Sequence, residues 1–210
     1  IIFNGEVYNF KSIAKELQSK GLDFHSGTDT EVLLQAYIHF GKECVKMFNG
    51  FFAFAIYDKE KESLFIARDR FGIKPLLLYE DENLLAFASE LKALCKLPIQ
   101  RELNQAALKA YLQLNYIPAP FSILQNVKKV EPGTSLFINS AGEISTEKYY
   151  QLPTELNKSL DYDNAQNQLI QLMEASVEKR MIADVPLGAF LSGGIDSSVI
   201  VALAAQQTKH

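Results

Sequence analysis

Between Phe51 and Ala88 four short runs of apolar and β-branched residues follow one another: Phe51 to Tyr57, Ser63 to Ala67, Leu76 to Tyr79 and Leu84 to Ala88. Asp58-Lys59-Glu60-Lys61 and Glu80-Asp81-Glu82-Asn83 separate two of the pairs and read as hairpin turns. Turns this short join antiparallel neighbours, since a parallel pair needs a crossover of about a dozen residues. This stretch is therefore committed to antiparallel sheet, and the elements around it must cover that sheet.

Upstream, Ile1-Ile2-Phe3 reads as a strand end running into Asn4-Gly5-Glu6. A helix over Lys11 to Lys20 carries Ile13, Ala14 and Leu17 on one face and stops at Gly21. After the polar turn Phe24 to Asp29, a second helix from Thr30 carries Val32, Leu33, Ala36 and Tyr37 and ends at Gly41. Downstream, Ser89 is the expected N-cap of a helix through Leu94. Another helix spans Ala106 to Leu114, before a proline-interrupted loop. Pro132-Gly133 then turns the chain into strands at Ser135 to Asn139 and Glu143 to Tyr149. Residues up to about 150 read as one strand-rich α+β domain.

Gln151 to Asp161 is polar and without period, and is read as a linker. Beyond it the pattern is α/β. An amphipathic helix runs from Tyr162 to Ala183, with Leu169, Met173, Val177 and Met181 spaced by four. The apolar run Val185 to Leu191 reads as a buried strand, followed by a glycine turn and a helix from Asp196. Such a strand needs parallel neighbours on both sides. The second domain is therefore expected to be the truncated start of a parallel-sheet domain.

The 210 residues are 48% hydrophobic and 22% charged, which suits a globular protein with a sizeable core. A net charge of −4 without a basic block argues against a nucleic-acid surface. No apolar stretch approaches the roughly 20 residues that span a bilayer, so no membrane association is expected. Two cysteines, Cys44 and Cys95, lack metal-ligand spacing and point to a reducing compartment, the cytoplasm. Both sit at core-like spacing, where a free cysteine behaves as a small hydrophobe.

Two segments carry chemistry. Ser192-Gly193-Gly194-Ile195-Asp196-Ser197-Ser198 lies between the expected buried strand and a helix. Glycines there let backbone N–H groups close on an anion, and the helix start favours negative charge. Asp196 would repel phosphate unless magnesium is also bound. No lysine follows the glycines, so this is not the Gly-Lys-Ser/Thr nucleotide loop, nor is it a dinucleotide fingerprint. A tight turn with a serine cap needs fewer of these residues. The second segment, Asn4-Gly5-Glu6-Val7-Tyr8-Asn9, is compatible on its own with an ordinary Asn-Gly turn.

Ser192 to Ser198 resembles the pyrophosphate loop of ATP-pyrophosphatase enzymes, and Asp184 to Leu191 before it resembles the form found in glutamine-hydrolysing asparagine synthetases. Asn4 to Asn9 resembles the corresponding segment of class II glutamine amidotransferases, whose nucleophile is an N-terminal cysteine. Ser26-Gly27-Thr28-Asp29-Thr30-Glu31, Asn49 to Asp58, Arg68 to Leu76 and Phe87 to Leu94 are similar to the same family. The resemblance implies an Ntn-hydrolase-like αββα sandwich of antiparallel sheets, then an α/β ATP-pyrophosphatase domain. It implies that the Asn4 amide and Gly5 N–H form the oxyanion hole, and that Asn4, Gly5, Glu6 and Asp29 bind glutamine. It implies that Leu191, Ser192, Gly193, Gly194, Ile195, Asp196, Ser197 and Ser198 hold ATP, with Asp196 a candidate magnesium ligand. Unaided, Asp29 also reads as the N-cap of the helix from Thr30, and the Arg/Asp pairs near residue 69 read as structural.

The family's nucleophilic cysteine and its upstream arginine are not among these residues. A segment ahead of Ile1 is therefore expected, and the 210 residues alone are expected to be inactive. The reaction implied is ATP-driven amide formation on a carboxylate, by default aspartate to asparagine, with ammonia taken from glutamine. Two alternatives remain at this point: the same chemistry on another acceptor such as a sugar carboxylate, and a catalytically inactive regulatory or scaffold homologue. The residues admit a homodimer without requiring one.

Overall fold

The computed structural model describes residues 1–155, 159–183 and 185–207. They fall into two compact units, Ile1–Leu152 and Pro153–His210. In chain order the first unit holds β1 (Ile2–Val7), α1 (Phe10–Ser19), α2 (Asp29–Phe40), a 3-10 segment (Gly41–Met47), β2 (Gly50–Asp58), β3 (Ser63–Arg68), β4 (Leu77–Glu80) and β5 (Leu85–Ala88). Then come α3 (Leu91–Leu94), α4 (Gln105–Leu114), β6 (Val127–Lys129), β7 (Thr134–Ile138) and β8 (Ile144–Lys148).

The hairpins predicted from the four apolar runs form as antiparallel pairs, β2 with β3 and β4 with β5. They belong to different sheets, one of five strands ordered β1-β2-β3-β7-β8 and one of three ordered β5-β4-β6. Strand pleating sorts the side chains into three cores. Phe52, Phe54 and Ile56 of β2, with Phe65 and Ala67 of β3, face α1, α2 and the 3-10 segment. Ala53 and Ala55, with Ile66, Leu136 and Ile138, face Leu76 and Leu78 across the space between the sheets. Tyr79, Ala86 and Val127 face outward from the smaller sheet onto Leu94, Ile99 and Leu124. Ala53 to Ile56 of β2 and Phe65 to Ala67 of β3 are continuously apolar because both faces of the strands are buried there. The result is an α+β sandwich of antiparallel sheets with helices outside.

β1 closes unusually tightly on β2. A Cβ on Gly5, at φ +150°, would lie 2.0 Å from the Phe51 carbonyl oxygen, and one on Gly50 would lie 2.1 Å from that of Glu6. Only glycine fits either place. At the far end of β3 the buried Asp69 carboxylate accepts from the N–H groups of Phe52, Phe71, Ile73 and Lys74. The Arg68 guanidinium donates to the carbonyls of Gly72, Lys74 and Val130. Burial lowers the Arg68 pKa while the Asp69 charge opposes it. The Tyr149 hydroxyl donates to the Arg68 carbonyl at 2.7 Å, and burial, then the Asp69 charge, raises its pKa. The Arg-Asp pair thus fixes the turn that carries the chain from one sheet to the other.

Two local expectations change, and one strand is added. The N-cap of α2 is Thr28, whose hydroxyl accepts from the Glu31 N–H at 3.4 Å, and Asp29 lies inside the helix. The N-cap of α3 is Glu90, without a side-chain bond, so Ser89 does not cap it. β6 was not legible because Val127 is its one buried residue.

The second unit holds α5 (Tyr162–Arg180) and α6 (Ile195–Gln207). Asp161 caps α5 by accepting from the Asn164 N–H at 2.9 Å. Val177 and Met181, with Ile200, Val201 and Ala204 of α6, line an apolar groove. Val185 to Leu191, expected as a buried strand, takes no regular structure, and Phe190 is 101% exposed. A parallel strand is held by hydrogen bonds to strands alongside it, and the described residues of this unit contain none. The expected parallel sheet is therefore not formed among them. Asp184, which opens that run, lies outside the described residues. No helix among the described residues is long and apolar enough to cross a membrane.

Candidate functional site

Pleating decides which way the β1 side chains point. Phe3 and Val7 pack into the helix-covered core, so the alternate residues Ile2, Asn4 and Glu6 face the other side. Ile2 and Asn4 there line a slot with Ala53, Ala55, Leu76, Phe87 and Ser89, reaching from one sheet to the other. The Asn4 amide Nδ2 donates to the Ser89 hydroxyl at 2.9 Å. β1 and β5 are each at the edge of their sheet, so this bond joins edge strand β1 to the residue that follows edge strand β5 across the sandwich.

Asp29 reaches β1 from the start of α2. Its Oδ2 accepts from the Val7 N–H at 2.9 Å, two residues beyond Gly5. The loop before it is held by Glu31, whose carboxylate accepts from the N–H groups of His25 and Ser26 at 2.8 and 2.6 Å and from the Ser26 hydroxyl at 2.5 Å. Hydrogen bonding, first from the His25 N–H and then the Ser26 hydroxyl, holds the Glu31 pKa below its usual range. Thr28 and Glu31 have the spacing of a capping box, but the glutamate reaches further back than the cap residue. Asn9 closes the other end of the segment, donating to the Met47 carbonyl and accepting from the Asn49 N–H.

The structure therefore brings Asn4, Gly5 and Glu6 together with Asp29 around one short stretch of β1. Glu6 and Asn4 are exposed and Asp29 half-buried, so polar groups on this stretch are open to a ligand. Ser89 and Glu31 lie in segments that resemble the family, but the sequence assigned neither a place at this site. The Thr-x-x-Glu spacing could have revealed Glu31; nothing in the sequence pairs Ser89 with Asn4.

Cys44 is fully buried in the helix-covered core, and burial, then the Glu43 charge, pushes its thiol up to about 12. A thiol that stays protonated is no nucleophile.

The second segment sits by itself in the second unit. Gly193 adopts φ +80°, turning the chain into the first turn of α6. The hydroxyls of Ser197 and Ser198 donate to the Gly194 carbonyl at 3.1 and 2.8 Å, and Ser192 and Ser197 share a hydrogen bond of 3.0 Å. To reach an anion, those two hydroxyls must turn their hydrogens away from Gly194. Leu191, Ile195 and Asp196 are exposed, leaving the helix start open. No group of three or more His, Cys, Asp or Glu side chains among the described residues could cage a metal. One carboxylate at a helix start still suits magnesium, which in nucleotide sites takes one or two carboxylates plus phosphate oxygens and water.

The first unit is thus a sandwich of antiparallel sheets that carries an asparagine-glycine pair on an edge strand and draws an aspartate onto that strand. Residues 1–150 match the family model of the glutamine amidotransferase domain. The chain belongs to that family, and its residues 168–210 match the asparagine synthase model. It is 40% identical to glutamine-hydrolysing asparagine synthetase 1 of Bacillus subtilis, over 97% of this chain and 32% of that protein. With a putative glutamine-hydrolysing asparagine synthetase 2 of Methanocaldococcus jannaschii it shares 39% identity over 99% of this chain and 40% of that one. With asparagine synthetase B of Escherichia coli it shares 33% over 95% and 31%. The chain thus spans about a third of the length of the curated relatives it matches.

Proposed function

We propose that this chain is part of a glutamine-dependent, ATP-driven ligase that forms an amide on a carboxylate, with aspartate as the acceptor. The observation that carries the reading is the convergence on one strand of two separate motifs, Asn4 to Glu6 on β1 itself and Asp29 at the start of α2, through the bond from the Val7 N–H to Asp29. In this reading a cysteine thiol from outside these 210 residues attacks the glutamine amide carbon. The Asn4 Nδ2 and Gly5 N–H stabilise the oxygen that becomes negative, and Glu6 and Asp29 hold the substrate ammonium. Loss of ammonia and hydrolysis of the thioester by water give glutamate. Two fixed donors at a developing oxyanion contribute a few kcal/mol, roughly 3–4 for a single well-placed one.

At Leu191 to Ser198, backbone N–H groups at the α6 start and the serine hydroxyls would bind the phosphates of ATP. Asp196 would hold magnesium, which supplies positive charge against the phosphate oxygens. The acceptor carboxylate displaces pyrophosphate to give an acyl-adenylate. Ammonia then displaces AMP and forms the amide. Activation is needed because a carboxylate is a poor electrophile. Small molecules are the partners in this scheme, and the cytoplasm the compartment.

The test is product analysis in the whole protein with glutamine and magnesium ATP, with and without aspartate. Aspartate-dependent AMP matched by asparagine supports the reading. Glutamate without an effect of aspartate points to another acceptor, sugar carboxylates first. Neither AMP nor glutamate would sink the enzyme reading and favour an inactive homologue.

A further inference from the structure

We propose that Ser89 is a positioning residue for the Asn4 amide, orienting it toward the reacting carbonyl of an amide substrate. This rests on the assignment of Asn4 to the oxyanion hole made above. A carboxamide nitrogen carries two hydrogens. Donation of one to the Ser89 hydroxyl at 2.9 Å fixes the plane of the amide and leaves the other directed into the slot.

The anchor matters because of where Asn4 stands. It is exposed on an edge strand, where an unpartnered asparagine turns freely about two side-chain torsions. An oxyanion donor acts through preorganisation, so a donor that must be ordered during the reaction loses part of its effect. Ser89 is itself well held. It follows β5 directly and precedes α3, whose Leu91 and Leu94 pack onto the outer core of the smaller sheet. That placement also explains why Ser89 is free of the capping role its sequence suggests: Glu90 occupies the N-cap position. The rigid smaller sheet thus sets the aim of a donor carried by the larger one.

Glutamine hydrolysis by the whole protein would be measured for Ser89→Ala, Ser89→Thr, Asn4→Ala and the Ala/Ala double variant. Ser89→Ala is expected to lower kcat about tenfold, less than the roughly 10²–10³ that follows loss of an oxyanion donor itself. The KM for glutamine should stay within about twofold, since the ground-state carbonyl needs the donor less than the transition state does. Ser89→Thr, which keeps the hydroxyl, should restore most of kcat. The double variant should be no slower than Asn4→Ala alone, because the serine acts through that amide. If Ser89→Ala fails to fold, the nearly isosteric Ser89→Cys carries the same expectation, sulfur being a weak acceptor. A Ser89→Ala loss repeated in full on the Asn4→Ala background, or one confined to KM, overturns the proposal while Asn4 keeps its role. Full kcat in Asn4→Ala removes the oxyanion assignment itself.

Discussion

Asp69→Asn should destabilise the first unit by about 4 kcal/mol, although it changes a single atom type. The Asp69 Oδ1 accepts from the Phe71 and Ile73 N–H groups at 3.0 and 3.1 Å, and Oδ2 from those of Lys74 and Phe52 at 2.9 and 3.3 Å. An asparagine has one acceptor atom, so whichever way it turns, its NH2 faces two N–H donors. Each donor left without an acceptor costs about 1–3 kcal/mol, and the remaining two bonds each lose about 1 kcal/mol on passing from a charged to a neutral acceptor. The low end of that range applies, because the 70–74 turn can move and admit water. For a unit of this size the melting temperature should fall by roughly 10 °C. Amide hydrogen exchange reads the effect directly: protection should be lost at Phe71, Ile73 and Lys74, and reduced at Phe52. Because Phe52 pairs with Gly5, exchange in β1 should rise as well. A urea midpoint shift worth under about 1 kcal/mol, with those amides still protected, would refute the reasoning.

Gly50→Ala should detach β1 from β2, since the new methyl would lie 2.1 Å from the Glu6 carbonyl oxygen and 2.9 Å from the Val7 Cα; the readout is loss of amide protection along β1. Cys44, with its thiol pushed up to about 12, should resist iodoacetamide at pH 8 in the native chain and react once urea exposes it. Glu31 has a folded pKa below its unfolded value, so its contribution is present above about pH 4.3 and lost as the pH falls through the folded value. Protection factors, corrected for the intrinsic exchange rate at each pH, should fall at the Ser26 and His25 amides over that acidic interval more than at amides elsewhere, and Glu31→Gln should abolish the difference.

The antiparallel core of the first unit was legible because its signals are local. Hairpin turns at Asp58 and Glu80, and helix stops at Gly21 and Gly41, act within a few residues of the elements they end. Which sheet each hairpin joins was not legible, because that depends on pairing between β3 and β7, far apart in the chain. Val185 to Leu191 shows the opposite error. Its apolar run has the pattern of a buried strand, yet pattern states only what a segment would bury. Without strands alongside to take its N–H and C=O groups, the described chain leaves that run irregular and exposed.

The candidate site divides along the same line. Asn4, Gly5 and Asp29 could be found because they sit in short motifs, and the fold then supplied the reason they meet: Asp29 accepts from the Val7 N–H. The structure adds a second reason for glycine at position 5: a Cβ there would meet the Phe51 carbonyl of β2. Ser89 also lies in a family-like segment, Phe87 to Leu94, but nothing in that segment points to Asn4. By local rules a serine ahead of Leu91 is a helix cap, and 85 residues separate it from its partner. What assigns it is the stacking of two sheets, which places the residue just after edge strand β5 against edge strand β1. A residue that orients a donor from the opposite layer is thus the kind of functional residue local sequence rules miss, and the Ser89–Asn4 cycle measures how much of the donor's effect depends on it.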